Sequence, residues 1–195
     1  LEGSILSAGS TIQWLRDELK VIRDGAHAGE LAASIDDTSG VHLVPAFTGL
    51  GAPHWDSDAR GAILGLQRGT TIAHIARAAL ESAAFQTAEL LEAMAKDGVA
   101  PQTLRVDGGM SRNDWLLQFM ADILRIEVVR PKNVETTVLG AAILAAVGAG
   151  EFASLDEAAS LWRLDRKFAP EMTSDDREER LSAWKRAVAR IKTQT

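Results

Sequence analysis

The chain has 195 residues, of which 46% are hydrophobic and 25% charged, and its formal net charge is −6. That length is enough for one domain with a sizeable core, and the negative balance argues against nucleic acid as a partner. The sequence contains no cysteine, which excludes disulfides, thiolate metal sites and cysteine nucleophiles and favours a reducing compartment, the cytoplasm. The longest apolar run follows Gly140 and is about half the roughly 20 residues needed to cross a bilayer, so neither a membrane span nor a signal peptide is expected.

Two helices, two strands and a long loop are predicted in the first half of the chain. Apolar residues recur at helical spacing over residues 7–23, which predicts an amphipathic helix, and a shorter helix is predicted over residues 30–35. Residues 41–47 and 62–66 have the length and apolar character of strands. Between them, residues 49–61 are rich in glycine and charge without periodicity, so the strands are predicted to be neighbours joined by a functional loop.

A long helix opens the second half, and an alternation of strands and helices is predicted after it. Apolar and small residues form one face from a cap at Thr70 or Thr71 to Lys96, and Asp97 and Gly98 end that helix. The later predicted elements are a strand over 103–109, a helix opened by Ser111, a strand over 126–131, and helices over 135–150, 154–164 with a Ser154 cap, and 174–193. Because strands and helices alternate, the predicted fold class is α/β.

Gly108 and Gly109 lie between a predicted strand and a predicted helix, where backbone N–H groups and the positive end of a helix dipole face outward together. Glycine has two uses at such a place, because it accepts a positive φ and lets a ligand approach the backbone. Asn113, in the predicted first helical turn, would reach a ligand that lies over the glycines. The same residues also fit a plain turn, in which Ser111 caps the helix and Asp114 completes a capping box.

Five segments together form a pattern that is more specific than any one of them. They are "GSTIQWLRD" (9–17), "VPAFTGLGAPHWDSDARGAILGL" (44–66), "HIARAALESAAFQT" (74–87), "LRVDGGMSRNDWLLQFMADIL" (104–124) and "VETTVLGAAILAAVGAG" (134–150). In this order and at these spacings, the segments resemble the C-terminal half of the FGGY carbohydrate kinases. The resemblance covers nearly the whole chain and implies an actin-like, ribonuclease H-like ATPase domain.

The resemblance also implies an activity and a set of ligand contacts. Members of the family have two actin-like domains with ATP in the cleft between them, and they transfer its γ-phosphate to a hydroxyl of a sugar or of a polyol such as glycerol. The implied cofactors are ATP or ADP and Mg²⁺. Carried over residue by residue, the resemblance implies that Gly9 and Gln13 lie on the nucleotide side of the cleft and that Gly109 and Asn113 contact the adenosine part of ATP or ADP. An exposed helix glutamine without a ligand is the alternative for Gln13.

Other parts of the family's machinery have no match in this sequence. The catalytic Asp, the phosphate-binding turn and the polyol-binding groups of the family belong before the position of Leu1, so no catalytic residue and no metal ligand is predicted here. We expect residues 1–195 to form the C-terminal domain, incomplete at its N-terminus, without the N-terminal kinase domain and inactive alone. Missing first strands should leave a sheet edge or an apolar face unpaired unless another chain covers it, and a homo-oligomer is expected.

Two further hypotheses stay open: a kinase of the same family that acts on another sugar or polyol, and an inert domain that oligomerises through apolar surface. A Rossmann enzyme is disfavoured because no GxGxxG turn with a later acidic residue is present. His74 and Glu81, about two turns apart on the long helix, are interpreted as structural residues rather than as a metal or acid–base pair. In the 49–61 loop, the charged residues from Asp56 to Arg60 are expected to fix the loop through ion pairs, and a charged site made of His54, Asp56, Asp58 and Arg60 is the alternative.

Overall fold

The computed structural model describes residues 2–193, which contain both helices and strands. The helices are α1 (Gly9–Asp17), α2 (Gly25–Ala33), α3 (Ile72–Lys96), α4 (Asp114–Leu124), α5 (Thr136–Gly148), α6 (Leu155–Ala158) and α7 (Ser174–Ala189). The strands are β1 (His42–Val44), β2 (Ala62–Leu64), β3 (Thr103–Arg105), β4 (Glu127–Pro131) and β5 (Leu164–Phe168). Within the described residues, no helix combines the length and the apolar character needed to cross a membrane.

The strands form two small sheets. In the first sheet β1 and β2 are antiparallel, with Leu43 opposite Ile63, which confirms the predicted pairing across the 49–61 loop. In the second sheet β4 is central. Strand β3 runs parallel to it, with Leu104 opposite Val128, and β5 runs antiparallel on its other side. Helix α4 lies in the connection from β3 to β4, since parallel strands need a long crossover.

Helix α3 packs against α1, α2, α4 and β1. The Thr71 N–H donates to Nδ1 of His74 at 3.1 Å in a capping-box arrangement, so His74 is a structural residue, as predicted. The helix ends at Lys96, and Gly98 beyond it takes a φ of 87°. Alanines on its buried side allow neighbouring elements to approach closely: Ala76, Ala79, Ala83, Ala84 and Ala88.

The core consists of two apolar clusters, and α3 contributes residues to both. One lies between α3, α4 and α7, where Phe85 stacks on Trp184 with 5.2 Å between ring centroids and meets Phe119 edge-on at 5.6 Å. Such aromatic pairs add about 0.5–1.5 kcal/mol each beyond the area they bury. The second cluster lies between α1, α2, β1 and α3 and contains the fully buried Leu15 and Leu80. This second cluster supports the N-terminal ends of α1 and α2.

Helix α1 is shorter than predicted. The helix predicted over residues 7–23 ends at Asp17, and Lys20 then takes a positive φ of 56°. The turn allows Ile22 to enter the second cluster, where it is buried. The apolar residues keep helical spacing beyond Asp17 in the sequence. In the fold, the chain turns at Lys20, and Ile22 is buried in the second cluster outside the helix.

Helix α2 begins earlier than predicted. Its cap is Asp24, whose Oδ1 accepts a hydrogen bond from the His27 N–H at 2.8 Å. The helix therefore starts at Gly25 and ends at Ala33, inside the predicted range of 30–35.

The C-terminal third contains a strand that was not predicted. The helix predicted over residues 154–164 is a single turn, α6, capped by Ser154 as expected, followed by a 3-10 turn at Ala159–Leu161. Strand β5 then pairs with β4, and four of its five residues are exposed. Neither alternation nor an apolar run therefore marks this strand in the sequence.

Candidate functional site

The four residues singled out from the sequence lie around one cavity of about 460 Å³. Gly9 and Gln13 belong to α1, Gly109 to the turn after β3, and Asn113 to the residue before α4. Small-molecule sites commonly have volumes of about 300–1,000 Å³. The fold thus brings all four residues together around a space of suitable size for a ligand.

Helix N-termini surround this cavity. Helix α1 begins at Gly9, α2 at Gly25 and a 3-10 turn at Gly109, and all three residues line the cavity. The first N–H groups of a helix have no acceptor within that helix, and its dipole gives this end a partial positive charge. The site therefore suits a polar or anionic ligand.

The two glycines after β3 meet different requirements. Gly108 takes a φ of 75°, which favours glycine, and its N–H donates to the carbonyl of Val134 at 2.8 Å. Gly109 does not have a positive φ, and a Cβ built on it meets no atom of the described residues within 4 Å. The fold alone therefore requires glycine at position 108 but not at position 109. At Gly109 the absence of a side chain leaves the backbone accessible from the cavity.

Asn113 caps α4, which corrects the predicted start of that helix. Gly109–Arg112 form a 3-10 turn, in which the Ser111 hydroxyl donates to the carbonyl three residues earlier at 2.7 Å. Oδ1 of Asn113 then accepts the N–H of Leu116 at 3.1 Å, and α4 begins at Asp114. The predictions of a Ser111 cap, a capping box with Asp114 and a first-turn position for Asn113 were therefore wrong.

The side-chain nitrogen of Asn113 is a donor without an acceptor. Among residues 2–193, Nδ2 is buried and has no hydrogen-bond partner. The cap on Leu116 uses Oδ1, which fixes the orientation of the amide. Nδ2 lies 2.7 Å from the position that a Cβ would take on Gly29 of α2. An unpaired buried donor costs about 1–3 kcal/mol, and a ligand atom that accepts this hydrogen bond after a small shift of the amide would relieve that cost.

Three charged residues of the cavity wall, Arg16, Asp24 and Arg112, were not predicted. The Arg16 guanidinium donates to both oxygens of Asp17, at 2.7 and 2.8 Å, and these hydrogen bonds lower the pKa of Asp17 and raise the pKa of Arg16. Arg112 lies 3.5 Å from Glu135 with both side chains largely exposed, so the pair is weak and Arg112 is available to an anionic ligand. These three residues are recognised as part of the cavity wall only from their positions in the fold, because no motif in the sequence assigns them to a ligand site.

No metal site is assembled within the part of the chain that the structure describes, since no group of three or more His, Asp or Glu side chains converges there. His74 and Glu81 do not meet. His74 bonds to Thr71, and Glu81 accepts a hydrogen bond from Nε of Arg77 at 3.0 Å. Burial raises the pKa of Glu81, against the opposing effect of the Arg77 guanidinium. Both residues are structural, as predicted.

Asp56 fixes the 49–61 loop, but not through the predicted ion pair with Arg60. Its carboxylate accepts the N–H of Ala59 at 3.1 Å and both the N–H and the hydroxyl of Thr193, at 2.7 and 2.6 Å. The Thr193 hydrogen bonds above all lower the pKa of Asp56 to about 2. Arg60 donates to two loop carbonyls instead. The expected fixing of the loop is observed with different partners.

The fold and the cavity together agree with one class of protein, the carbohydrate kinases. Residues 1–149, more than half of the chain, match the C-terminal domain of the FGGY family of carbohydrate kinases. The chain therefore belongs to this family. Its fold is the actin-like, ribonuclease H-like domain, which confirms the predicted fold class.

Glycerol kinases are among the most similar individual proteins. Glycerol kinase of Alteromonas mediterranea is 55% identical over 192 residues, which cover 98% of this chain and 39% of that protein. The structure of Plasmodium falciparum glycerol kinase with ADP matches with a TM-score of 0.87 and 40% identity, over 99% of this chain and 38% of its own. Xylulose kinase from Rhodospirillum rubrum matches with a TM-score of 0.79 and 26% identity, over 96% of this chain and 38% of its own. The chain spans about two fifths of the length of these relatives.

Proposed function

We propose that these residues are the nucleotide-side part of a glycerol kinase, which transfers the γ-phosphate of ATP to glycerol and yields sn-glycerol 3-phosphate and ADP. The observation that carries the proposal is the convergence of Gly9, Gln13, Gly109 and Asn113 on one cavity surrounded by helix N-termini. Among the solved structures, the identity of 40% to a glycerol kinase, against 26% to a xylulose kinase, favours glycerol over a sugar as the substrate.

The cavity has the features that an adenine nucleotide needs. Ile12, Leu80 and Met110 supply apolar walls suited to a flat base. Asn113 lines the cavity, and a small shift of its amide would bring the unpaired Nδ2 to an acceptor atom of the base or the ribose. Gly109 allows the ligand to lie against the backbone. The Plasmodium falciparum glycerol kinase, which is 40% identical, has a structure with ADP, and this supports an adenine nucleotide as the ligand.

In this proposal the chain binds and orients the nucleotide. Gln13 lies one helical turn beyond Gly9 and offers an amide to the ribose, and the N-termini of α1 and of the 3-10 turn stabilise the nearest phosphate. Phosphoryl transfer to an alcohol also needs a base and donors around the γ-phosphate, which we assign to a domain outside residues 1–195. Mg²⁺ spreads the charge of the phosphates when bound. Since residues 2–193 hold no ligand cluster for it, the phosphates and groups outside these residues would hold the ion.

The domain formed by residues 1–195 is, we propose, an incomplete C-terminal domain. Helix α5 supports this, because it is apolar nearly throughout and none of its residues is buried, Val138 and Leu144 being 70% and 61% exposed. A helix that is apolar all round is normally enclosed. The outer edge of β3 also has no pairing strand within residues 2–193. Further strands of the same domain are the covering segment that we propose, and without them the same surface favours a homo-oligomer. The cytoplasm is the proposed location, since a chain without cysteine suits a reducing compartment.

Two fusion proteins test the proposed function. Residues 1–195 are joined to the N-terminal part of the Alteromonas mediterranea glycerol kinase in one fusion and to that of the Rhodospirillum rubrum xylulose kinase in the other. The first fusion is expected to phosphorylate glycerol with Mg-ATP, the second to be inactive on xylulose, and the chain alone to form no glycerol 3-phosphate. If only the xylulose kinase fusion is active, the glycerol assignment is contradicted. Robust formation of glycerol 3-phosphate by the isolated chain would contradict the assignment of the catalytic groups to a domain outside residues 1–195.

A further inference from the structure

Arg77 is a buried arginine at the point where three helices meet. Its side chain belongs to α3 and the residue is 6% exposed. Nη1 donates to the carbonyl of Ala32, in the last turn of α2, at 3.2 Å, and to the carbonyl of Ile35, two residues beyond the end of that helix. A cation at the C-terminal end of a helix is favourable for the dipole, and carbonyls in the last turn of a helix accept no hydrogen bond within that helix.

Two other contacts hold the guanidinium in place. Nε donates to Oε1 of Glu81, one turn further along α3, at 3.0 Å. The guanidinium carbon also lies 4.9 Å from the ring centroid of Trp115, the second residue of α4. Arg77 therefore ties the C-terminal end of α2 to α3 and to the first turn of α4.

The opposite end of α2 belongs to the cavity. Asp24 and Gly25, at its N-terminal end, line the cavity wall. Further along α2, Gly29 lies against the amide of Asn113. A helix of nine residues is roughly 13 Å long and moves as one body, so a displacement of its C-terminal end shifts both contacts.

We propose that Arg77 is a positioning residue for the nucleotide cavity: by holding the C-terminal carbonyls of α2, it sets Gly25 at the cavity wall and Gly29 behind Asn113. The inference rests on the proposed nucleotide function. It assigns Arg77 no contact with the ligand, since its hydrogen bonds go to Ala32, Ile35 and Glu81.

A purely structural role for the ion pair is separable from a positioning role. Removing one partner of a buried pair leaves an uncompensated charge, whereas replacing both by apolar residues of similar size is often neutral for stability. Nη1 of the more exposed Arg180 also lies 3.7 Å from Oε1 of Glu81. The double variant Arg77→Met/Glu81→Leu therefore regains only part of the stability that Arg77→Met loses, because it leaves the α2 carbonyls without their donor. Trp184→Phe, in the other apolar cluster and on α7, is the matched control for a general loss of stability.

ADP is titrated into the wild-type chain and each variant by calorimetry, and the thermal transition of each is recorded. We expect the double variant to melt between Arg77→Met and the wild type, and to bind ADP about fivefold more weakly than the wild type or worse, within the usual range of coupling between linked sites. Arg77→Lys keeps a cation beside Glu81 but loses the planar guanidinium, so its ADP affinity should lie between that of the double variant and that of the wild type. Trp184→Phe should bind ADP like the wild type.

Wild-type affinity in a stable double variant overturns the inference, as does an Arg77→Lys variant that binds like the wild type. If the double variant does not fold, Arg77→Lys measured against Trp184→Phe decides the question alone. Absence of ADP binding by the wild-type chain is a different result, because it overturns the proposed function itself and the inference with it.

Discussion

The amide nitrogen of Asn113 lies 2.7 Å from the place where a Cβ would stand on Gly29. Asn113 caps α4 and Gly29 lies in the middle of α2, so the two helices meet at the amide that is predicted to contact the ligand. Because Oδ1 of Asn113 is used by the cap, the amide cannot turn away without losing that hydrogen bond. Glycine at position 29 is therefore required by the position of the Asn113 side chain rather than by α2 itself.

Gly29→Ala tests this relationship. Alanine is better than glycine within a helix by about 1 kcal/mol, and displacement of the Asn113 cap costs about the same, so the stability should change little. The affinity for ADP should fall several-fold, because the new methyl displaces the amide from the cavity. Thermal unfolding and calorimetric titration measure the two effects. A variant that keeps the ADP affinity of the wild type would show that the amide does not contribute to the site.

Asn113→Asp separates the cap of α4 from ligand binding. Aspartate keeps an oxygen for the Leu116 N–H and is as good a cap as asparagine, so the thermal stability should be retained. It cannot donate the hydrogen bond that Nδ2 offers, so we expect about tenfold weaker ADP binding, a loss of about 1.4 kcal/mol. Asn113→Ala is the comparison, since it should lose both the cap and the affinity. Unchanged ADP affinity in the aspartate variant would exclude Nδ2 as a ligand contact.

Much of the candidate site was predictable from the sequence, although some of its geometry was not. The resemblance named Gly9, Gln13, Gly109 and Asn113, and the fold brings them to one cavity, while their contact with a nucleotide stays a prediction. The start of α4 was mispredicted because a Ser hydroxyl that bonds back to a carbonyl within a 3-10 turn has the same sequence pattern as a helix cap.

Other features depend on contacts between distant segments, which local patterns do not contain. Strand β5 pairs with β4 although four of its five residues are exposed. Arg77 bonds to the carbonyls of Ala32 and Ile35, which lie over 40 positions earlier in the chain. The long helix α3, by contrast, was predictable at both ends because its periodicity extends over many turns and its cap and terminating glycine are local.

Asp56 should give the chain a specific acid sensitivity. Its pKa is about 2 in the folded chain against 3.8 for a free carboxyl, so its contribution to stability is complete above a pH of about 4 and is lost as the pH falls towards about 2. Asp56→Asn should therefore be less stable than the wild type near neutral pH, and the difference between the two should shrink over this window. Urea unfolding at several pH values measures it, and a difference that stays constant down to about pH 2 would contradict the account.

Helix α5 should tolerate truncation of its side chains in the isolated chain. Leu144 is 61% exposed and Leu117 of α4 is 2% exposed, so they form a matched pair. Leu144→Ala should change the free energy of unfolding by less than about 0.5 kcal/mol, whereas Leu117→Ala should cost about 2–5 kcal/mol. In the glycerol kinase fusion, where we propose that α5 is covered, Leu144→Ala should become destabilising. Equal and small effects in both proteins would argue against a covering segment.

The central claim is that these residues bind the adenosine end of a nucleotide, and Gly109→Ala tests it most directly. A methyl at this position meets no described atom within 4 Å, and the same holds for the matched control, Gly69→Ala, outside the cavity. Both variants should therefore fold like the wild type. Calorimetric titration with ADP should show the affinity of Gly109→Ala reduced by about tenfold or more, and that of Gly69→Ala unchanged. Equal ADP affinity in all three proteins would contradict the assignment of the cavity.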